Sequence, residues 1–399
     1  MDLTLITLGA LFAIGLVADE LGRRTRLPRV TLLVLLGVLI GPAGFDLLPD
    51  ATRDWYNMVA AIALTMVAFL LGGALSLTQL KSNGREILLI SIAVVLVTLV
   101  MVFGGLVLIG VAPVLAILLA GIATATDPAA TEEVIRQTRA EGSFAETLKG
   151  IVAIDDAWGL IAFSLILAFA SFLIGNGASE ALASGARDLL GAVGVGALVG
   201  FPAAYLTGRL REGEPMQAEA LAVVFMCAGL ALWLDVSYLL AGIVAGAIIV
   251  NTAPHHTRAF HEIEHFEWPF MLIFFLLAGS RIYTEHWLDY APLVVAFIVL
   301  RTLARLIGGW IGGHLAGSGK GVKAWIGAAL LPQAGVAVGM ALVAGHHFPE
   351  HQDVILNIAI ITTVFFEVLG PVASKMALSR NALARNTQAI IVKGGEKRE

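Results

Sequence analysis

Residues 144–160 read Phe-Ala-Glu-Thr-Leu-Lys-Gly-Ile-Val-Ala-Ile-Asp-Asp-Ala-Trp-Gly-Leu, and the run stays apolar to Ile174. Asp155 and Asp156 thus fall near the middle of a segment that otherwise predicts a membrane-spanning helix. A charge at the bilayer centre costs at least about 2.5–3.5 kcal/mol on insertion scales. Two adjacent carboxylates cannot both ionise cheaply there. The pair is therefore expected to work rather than to decorate.

Composition supports a lipid environment. Of 399 residues, 58% are apolar and only 14% charged, against about 25% charged in average soluble domains. Mean hydropathy is +0.88. A net charge of −5 is unremarkable, and no nucleic-acid partner is expected. The lone cysteine, Cys227, excludes a disulfide framework or thiolate metal site and reads as apolar filler. The first apolar run, residues 3–17, follows no basic stretch and precedes no cleavage site, so it predicts a transmembrane helix rather than a signal peptide.

Segments long enough to cross the hydrocarbon layer lie near 3–21, 30–48, 57–78, 87–111, 113–138, 145–174, 187–208, 217–234, 238–251, 267–283, 288–316, 324–345 and 354–377. That makes about thirteen, in an all-α polytopic membrane protein. With the N-terminus outside, twenty of the 25 Lys and Arg residues fall on inner loops or the C-terminal tail. Only Arg53, Arg187 and Arg281 fall outside. A wrong helix number would scramble this alternation, so the expectation is an odd number of spans with the C-terminus in the cytoplasm. Residues 378–399 read as a short basic cytoplasmic tail near anionic lipid.

Arg301 and Arg305 are the two remaining basic residues. They sit one turn apart within the eleventh segment. Each is expected to find a carboxylate, a carbonyl end or water. The partners available are Asp127, Asp155, Asp156 and Glu367. One reading is a salt bridge that only fixes packing. The other places that bridge beside the site, where it neutralises one aspartate and leaves the other free to cycle. Because arginine stays protonated, one cycling carboxylate implies one proton per monovalent cation; two would move net charge.

The fifth segment carries Thr124-Ala-Thr126-Asp127-Pro128, and the twelfth carries Pro332-Gln333-Ala-Gly335. Proline removes a backbone donor and pushes the preceding residue out of helical geometry. Thr126 and Asp127 can cap the freed amides of a simple kink. Alternatively, both segments are broken helices lining a cavity. If residues 1–174 and 217–377 are two repeats around a linker helix at 187–208, the breaks fall at corresponding positions in inverted units. Paired interruptions of that kind point to a transporter's binding site. His255, His256, His261 and His265 cluster on the inner loop between the ninth and tenth segments, among Glu262, Glu264 and Glu267. They read as a solvated loop, as pH modulators, or as a metal pair at His261 and His265.

The paired motifs Thr124-Ala-Thr126-Asp127-Pro128 and Ile154-Asp155-Asp156-Ala-Trp-Gly-Leu160 resemble the signature of the monovalent cation–proton antiporters. The Asp-Asp form is like the NapA and NhaA type. Pro28 through Gly41-Pro42 and Phe69-Leu-Leu-Gly72 are also similar to that family. The resemblance implies an NhaA-like fold with a dimerisation bundle, a six-helix core, two crossing broken helices and elevator-type alternating access, as a homodimer. It implies that Asp156 binds cation or proton in turn, that Asp155 is its ion-paired neighbour, that Thr126 and Asp127 line the ion site, and that Arg301 takes the place of the family's eleventh-helix cation. That cation is lysine in electrogenic members. Arginine resembles the neutral branch, which usually has Asn-Asp, so the stoichiometry stays open. Gln333 stands where relatives often place glutamate, and the nucleotide-binding tail of potassium-efflux relatives is not expected. The function expected is an inner-membrane exchange of sodium or lithium for protons, with Asp156 holding the transported metal ion and with no cofactor or enzyme chemistry. The rivals are potassium–proton exchange, sodium-coupled symport of an organic solute, and a passive channel or sensor.

Overall fold

The computed structural model describes residues 2–25, 29–42, 44–49, 52–77, 84–174, 178–207, 217–253, 256–280, 290–333 and 335–395. Among these the chain is helical throughout. In order the helices are α1 (Asp2–Thr25), α2 (Arg29–Ile40), α3 (Thr52–Ala74), α4 (Gly84–Leu108), α5 (Pro113–Ile122), α6 (Pro128–Thr138), α7 (Ser143–Ile174) and α8 (Ala178–Thr207). They continue as α9 (Gln217–Leu234), α10 (Tyr238–Thr252), α11 (His256–Ser280), α12 (Ala291–Leu315), α13 (Lys320–Ala329), α14 (Gly335–His347) and α15 (Gln352–Gly395). The fifth apolar segment is two helices, α5 and α6, and the twelfth is α13 and α14. Among the described residues, seven helices are long and apolar enough to cross a membrane by length and composition.

Large apolar side chains such as Leu96, Val100, Leu198 and Val295 are exposed on the outside. In water such a surface would aggregate; in a bilayer it is solvated by acyl chains. Because lipid gives no hydrophobic drive for helix to meet helix, small residues let backbones approach instead. The double glycine stripe of α12 shows how. A methyl on Gly308 or Gly312 would stand 2.9 Å from the Val94 Cα or 2.7 Å from the Ile90 Cα, both on α4. Gly313, on the other side of the stripe, meets Lys323 of α13 at 3.1 Å by the same measure. α12 is thereby pinned between α4 and the first half of the second broken segment. α10 packs on α3, and α11 on α2.

Two expectations on local structure are corrected. The segment holding His256, His261 and His265 is not a loop but the first turns of α11. Phe260, Ile263 and Phe266 recur at helical spacing and pack inward, with Ile263 fully buried, while His261, Glu264 and His265 are exposed. The C-terminal residues do not leave the helix at 377 either. α15 runs on to Gly395, and nothing between 378 and 393 breaks a helix before Gly394 and Gly395.

Candidate functional site

The first break is built by local chemistry. α5 ends at Ile122, and Asp127 adopts an extended backbone (φ −131°, ψ 92°) before Pro128 at the first position of α6. Asp127 Oδ1 accepts from the Ala130 N–H at 2.9 Å, an N-cap for α6. Between the half-helices, Ala123, Thr124 and Ala125 have carbonyls that no following turn can use. At the second break α13 ends at Ala329 and α14 starts at Gly335. Leu331, Pro332 and Gln333 span the gap.

Two arginines fill these carbonyl ends. Arg301 and Arg305 are fully buried on α12. Arg301 donates from Nε to Ala123 O at 3.1 Å, from Nη2 to Ala125 O at 2.8 Å, and from Nη1 to Leu331 O at 2.9 Å. One guanidinium thus ties both breaks together, at the negative ends of α5 and α13, and lies 4.2 Å above the Phe366 ring. Arg305 Nη2 donates to Ala123 O at 3.3 Å, to Ala125 O at 3.1 Å and to Thr124 O. Its Nη1 pairs with Asp155 Oδ2 at 3.0 Å.

Which of the two arginines pairs with Asp155 is open in the sequence, and the geometry distinguishes them. Arg305 holds Asp155, because the register of α12 carries Arg301 one turn further, onto the crossing itself. Ser91 Oγ on α4 donates to the other oxygen of Asp155 at 3.0 Å. Ser91 was not among the expected site residues; a lone serine in the apolar run of α4 was the signal for it.

Asp156 is treated differently. It is 1% exposed, and Thr126 donates to its Oδ1 from both the backbone N–H, at 2.9 Å, and Oγ1, at 2.6 Å. Among the described residues Asp156 has no basic partner, and its Oδ2 takes no hydrogen bond. Two neighbouring carboxylates therefore differ in kind: Asp155 is neutralised and fully bonded, whereas Asp156 keeps one oxygen uncommitted beside an irregular backbone.

The residues 8–378 match the transmembrane family of sodium/hydrogen exchangers. The chain belongs to the sodium/hydrogen exchanger family. As a member it is an integral membrane antiporter of a monovalent cation against protons, on the expected antiporter fold. It is 24% identical over 388 residues to the ammonium/H(+) antiporter subunit AmhT of Alkalihalophilus pseudofirmus, covering 93% of this chain and 94% of the relative. It is 23% identical to the Na(+)/H(+)-K(+) antiporter GerN of Bacillus cereus, covering 87% and 90%. Among solved structures it superposes on the sodium proton antiporter MjNhaP1 from Methanocaldococcus jannaschii with a TM-score of 0.74 at 19% identity, over 95% of this chain and 99% of that one.

Within this antiporter, the breaks bring Thr126, Asp156, Asp155, Arg301 and Arg305 together. Asp127 and Pro128 belong to the same crossing but act on its backbone. Pro332 stands where α15 packs on the second break: a methyl on Gly370 would lie 2.5 Å from its Cα. Gln333 is fully buried on that break. The histidines lie on a different element. His261 and His265 are exposed on α11, with ring centroids 4.8 Å apart, and His261 Nδ1 lies 3.3 Å from Glu264. His255, Pro28, Arg209, Arg211 and Arg281 lie outside the described residues.

Proposed function

We propose that this antiporter exchanges sodium or lithium for protons by alternating access, with the two ions competing for Asp156. The observation that carries this is the contrast between the aspartates. Asp155 already has a permanent counter-charge in Arg305 at 3.0 Å, so taking up a cation or proton there would strand a buried guanidinium. Among the described residues Asp156 has only the Thr126 donors, so a proton or a small cation supplies the charge it lacks. One cycling carboxylate gives one proton per cation, and the exchange is electroneutral.

The architecture supports the same reading. Helix packing follows a two-fold pattern: α3 on α10 has its counterpart in α11 on α2, and α4 pairs with its own counterpart α12. This fits two inverted repeats, residues 1–174 and 217–377, around the linker 187–208, with thirteen crossings and the N-terminus outside. An inner-membrane homodimer, with membrane lipid around it, completes the assignment. The exposed His261 and His265 on α11 are assigned as pH modulators at the inner surface.

A potassium–proton exchange is the second reading, favoured by the names of the relatives: one exchanges ammonium, another sodium against protons and potassium. The test is transport by the purified protein in proteoliposomes with an imposed pH gradient. Sodium or lithium should dissipate the gradient, and Asp156→Asn should abolish the effect. Dissipation by potassium alone would establish the second reading, and no response to any of the three would remove both.

A further inference from the structure

Gln333 carries a cost that the exchange mechanism described so far does not explain. It is fully buried, and among the described residues neither its Nε2 nor its Oε1 has a hydrogen-bond partner. Among the described residues no other side chain has both a donor and an acceptor atom orphaned in this way. Each such group costs about 1–3 kcal/mol, and an apolar residue of the same shape would avoid it. A packing role would thus be better served by methionine or leucine. A buried amide without a protein partner is free to hydrogen-bond water or to ligate an ion.

The position narrows what that partner is. Arg301 takes Ala125 O of the first break and Leu331 O of the second on one guanidinium, at 2.8 and 2.9 Å. The two breaks therefore pass within the width of that group. Thr126, the next residue after Ala125, holds Asp156; Gln333 follows Leu331 by two. The other side of the second break faces α15. Ser374 Oγ donates to Ala329 O at 2.8 Å, and Gly370 abuts Pro332. Glu367, three residues before Gly370 on α15, is also buried. The second break thus runs beside α15, which carries Glu367, and meets through Arg301 the first break, which holds Asp156.

We propose that Gln333 is a specificity-determining ligand for the transported cation. Its side-chain carbonyl oxygen replaces part of the ion's hydration as the ion passes between the two breaks. Being neutral, the amide adds affinity and discrimination by size without altering the charge balance set by Asp156. Hard monovalent cations take such oxygen ligands, and selectivity among them follows from the number and reach of the ligands. The assignment rests on the cation–proton exchange reading above.

The test uses the full-length protein in proteoliposomes, with sodium, lithium and potassium titrated at one fixed pH. Gln333→Met keeps the volume and removes the amide; Gln333→Asn keeps the amide and retracts it by one methylene. Gln333→Met should raise the apparent KM for the preferred cation by about tenfold, the loss of one ligand of hydrogen-bond strength. Its maximal rate should stay within about twofold of the parent protein, and its cation-free thermal stability should be equal or higher. Gln333→Asn should change the ratio of KM values among the three cations. Unchanged KM values and ratios in both variants would overturn the assignment. So would loss of stability in Gln333→Met together with unaltered ratios in Gln333→Asn, which is the pattern of a packing residue. If the parent protein shows no cation-driven proton flux, the exchange reading fails, and that outcome is distinct from either result.

Discussion

Replacing Arg305 by methionine strands a buried charge, and the size of the penalty follows from its contacts. Asp155 would lose its partner at 3.0 Å while remaining fully buried, and breaking a buried pair from one side costs about 3–5 kcal/mol. Arg305 also bonds three carbonyls. Those of Ala123 and Ala125 keep Arg301, but that of Thr124 is orphaned, adding about 1–3 kcal/mol. Asp155→Asn in the same chain removes the stranded charge. The double variant should therefore recover about 3 kcal/mol or more of the loss, because the two sites are in contact and their effects do not add. Arg301→Met provides the control. Among the described residues Arg301 bonds carbonyls and no carboxylate, so Asp155→Asn should not rescue it. Thermal unfolding of the four variants and the parent, purified in one detergent, reads this out as midpoints. A double variant no more stable than Arg305→Met, or an equal rescue of Arg301→Met, would refute the ion-pair assignment.

Three further outcomes follow from the same geometry. Asp127→Ala should lower stability by about 1 kcal/mol through loss of the α6 cap, whereas Asp127→Asn, which can still accept from Ala130, should keep both stability and transport; a transport-dead Asp127→Asn would make Asp127 an ion ligand instead. Thr126→Val removes one of the two donors to Asp156 and leaves the backbone N–H, so apparent cation affinity should fall by about tenfold while transport persists, measured as the sodium dependence of proton flux. Gly312→Val would push side-chain atoms into the α4 backbone, where a methyl alone already stands 2.7 Å from the Ile90 Cα, and should cost about 1–3 kcal/mol, seen as a lowered midpoint or as aggregation on size exclusion.

The parts of this site legible in the sequence are those that contradict their surroundings. Asp155, Asp156, Pro128 and Pro332 stand out because an apolar helix has no local reason to contain them, and all four lie at or beside the crossing of the two breaks. The division of labour between Arg301 and Arg305 was not legible. They share one helix face, and only the register of α12 against the first break decides which reaches Asp155. Ser91 was hidden for a related reason: a hydroxyl is common in membrane helices, and its meaning depends on the α4–α7 contact. The start of α11 was hidden by composition, since the charges of residues 256–267 obscured the helical spacing of Phe260, Ile263 and Phe266. The uncommitted amide of Gln333 is invisible without coordinates, because partner and orphan look alike in a string of letters.

The central claim is that Asp156 alone cycles while Arg305 keeps Asp155 out of the exchange. The charge moved per cycle tests it most directly. Proteoliposomes carrying the parent protein would be adsorbed to a solid-supported membrane and given a sodium jump, with proton flux recorded in parallel and the membrane potential varied. The account predicts sodium-driven proton flux, absent in Asp156→Asn, with no transport current and a rate independent of potential. A current that scales with the proton flux would mean that a second group cycles with Asp156, and would contradict it.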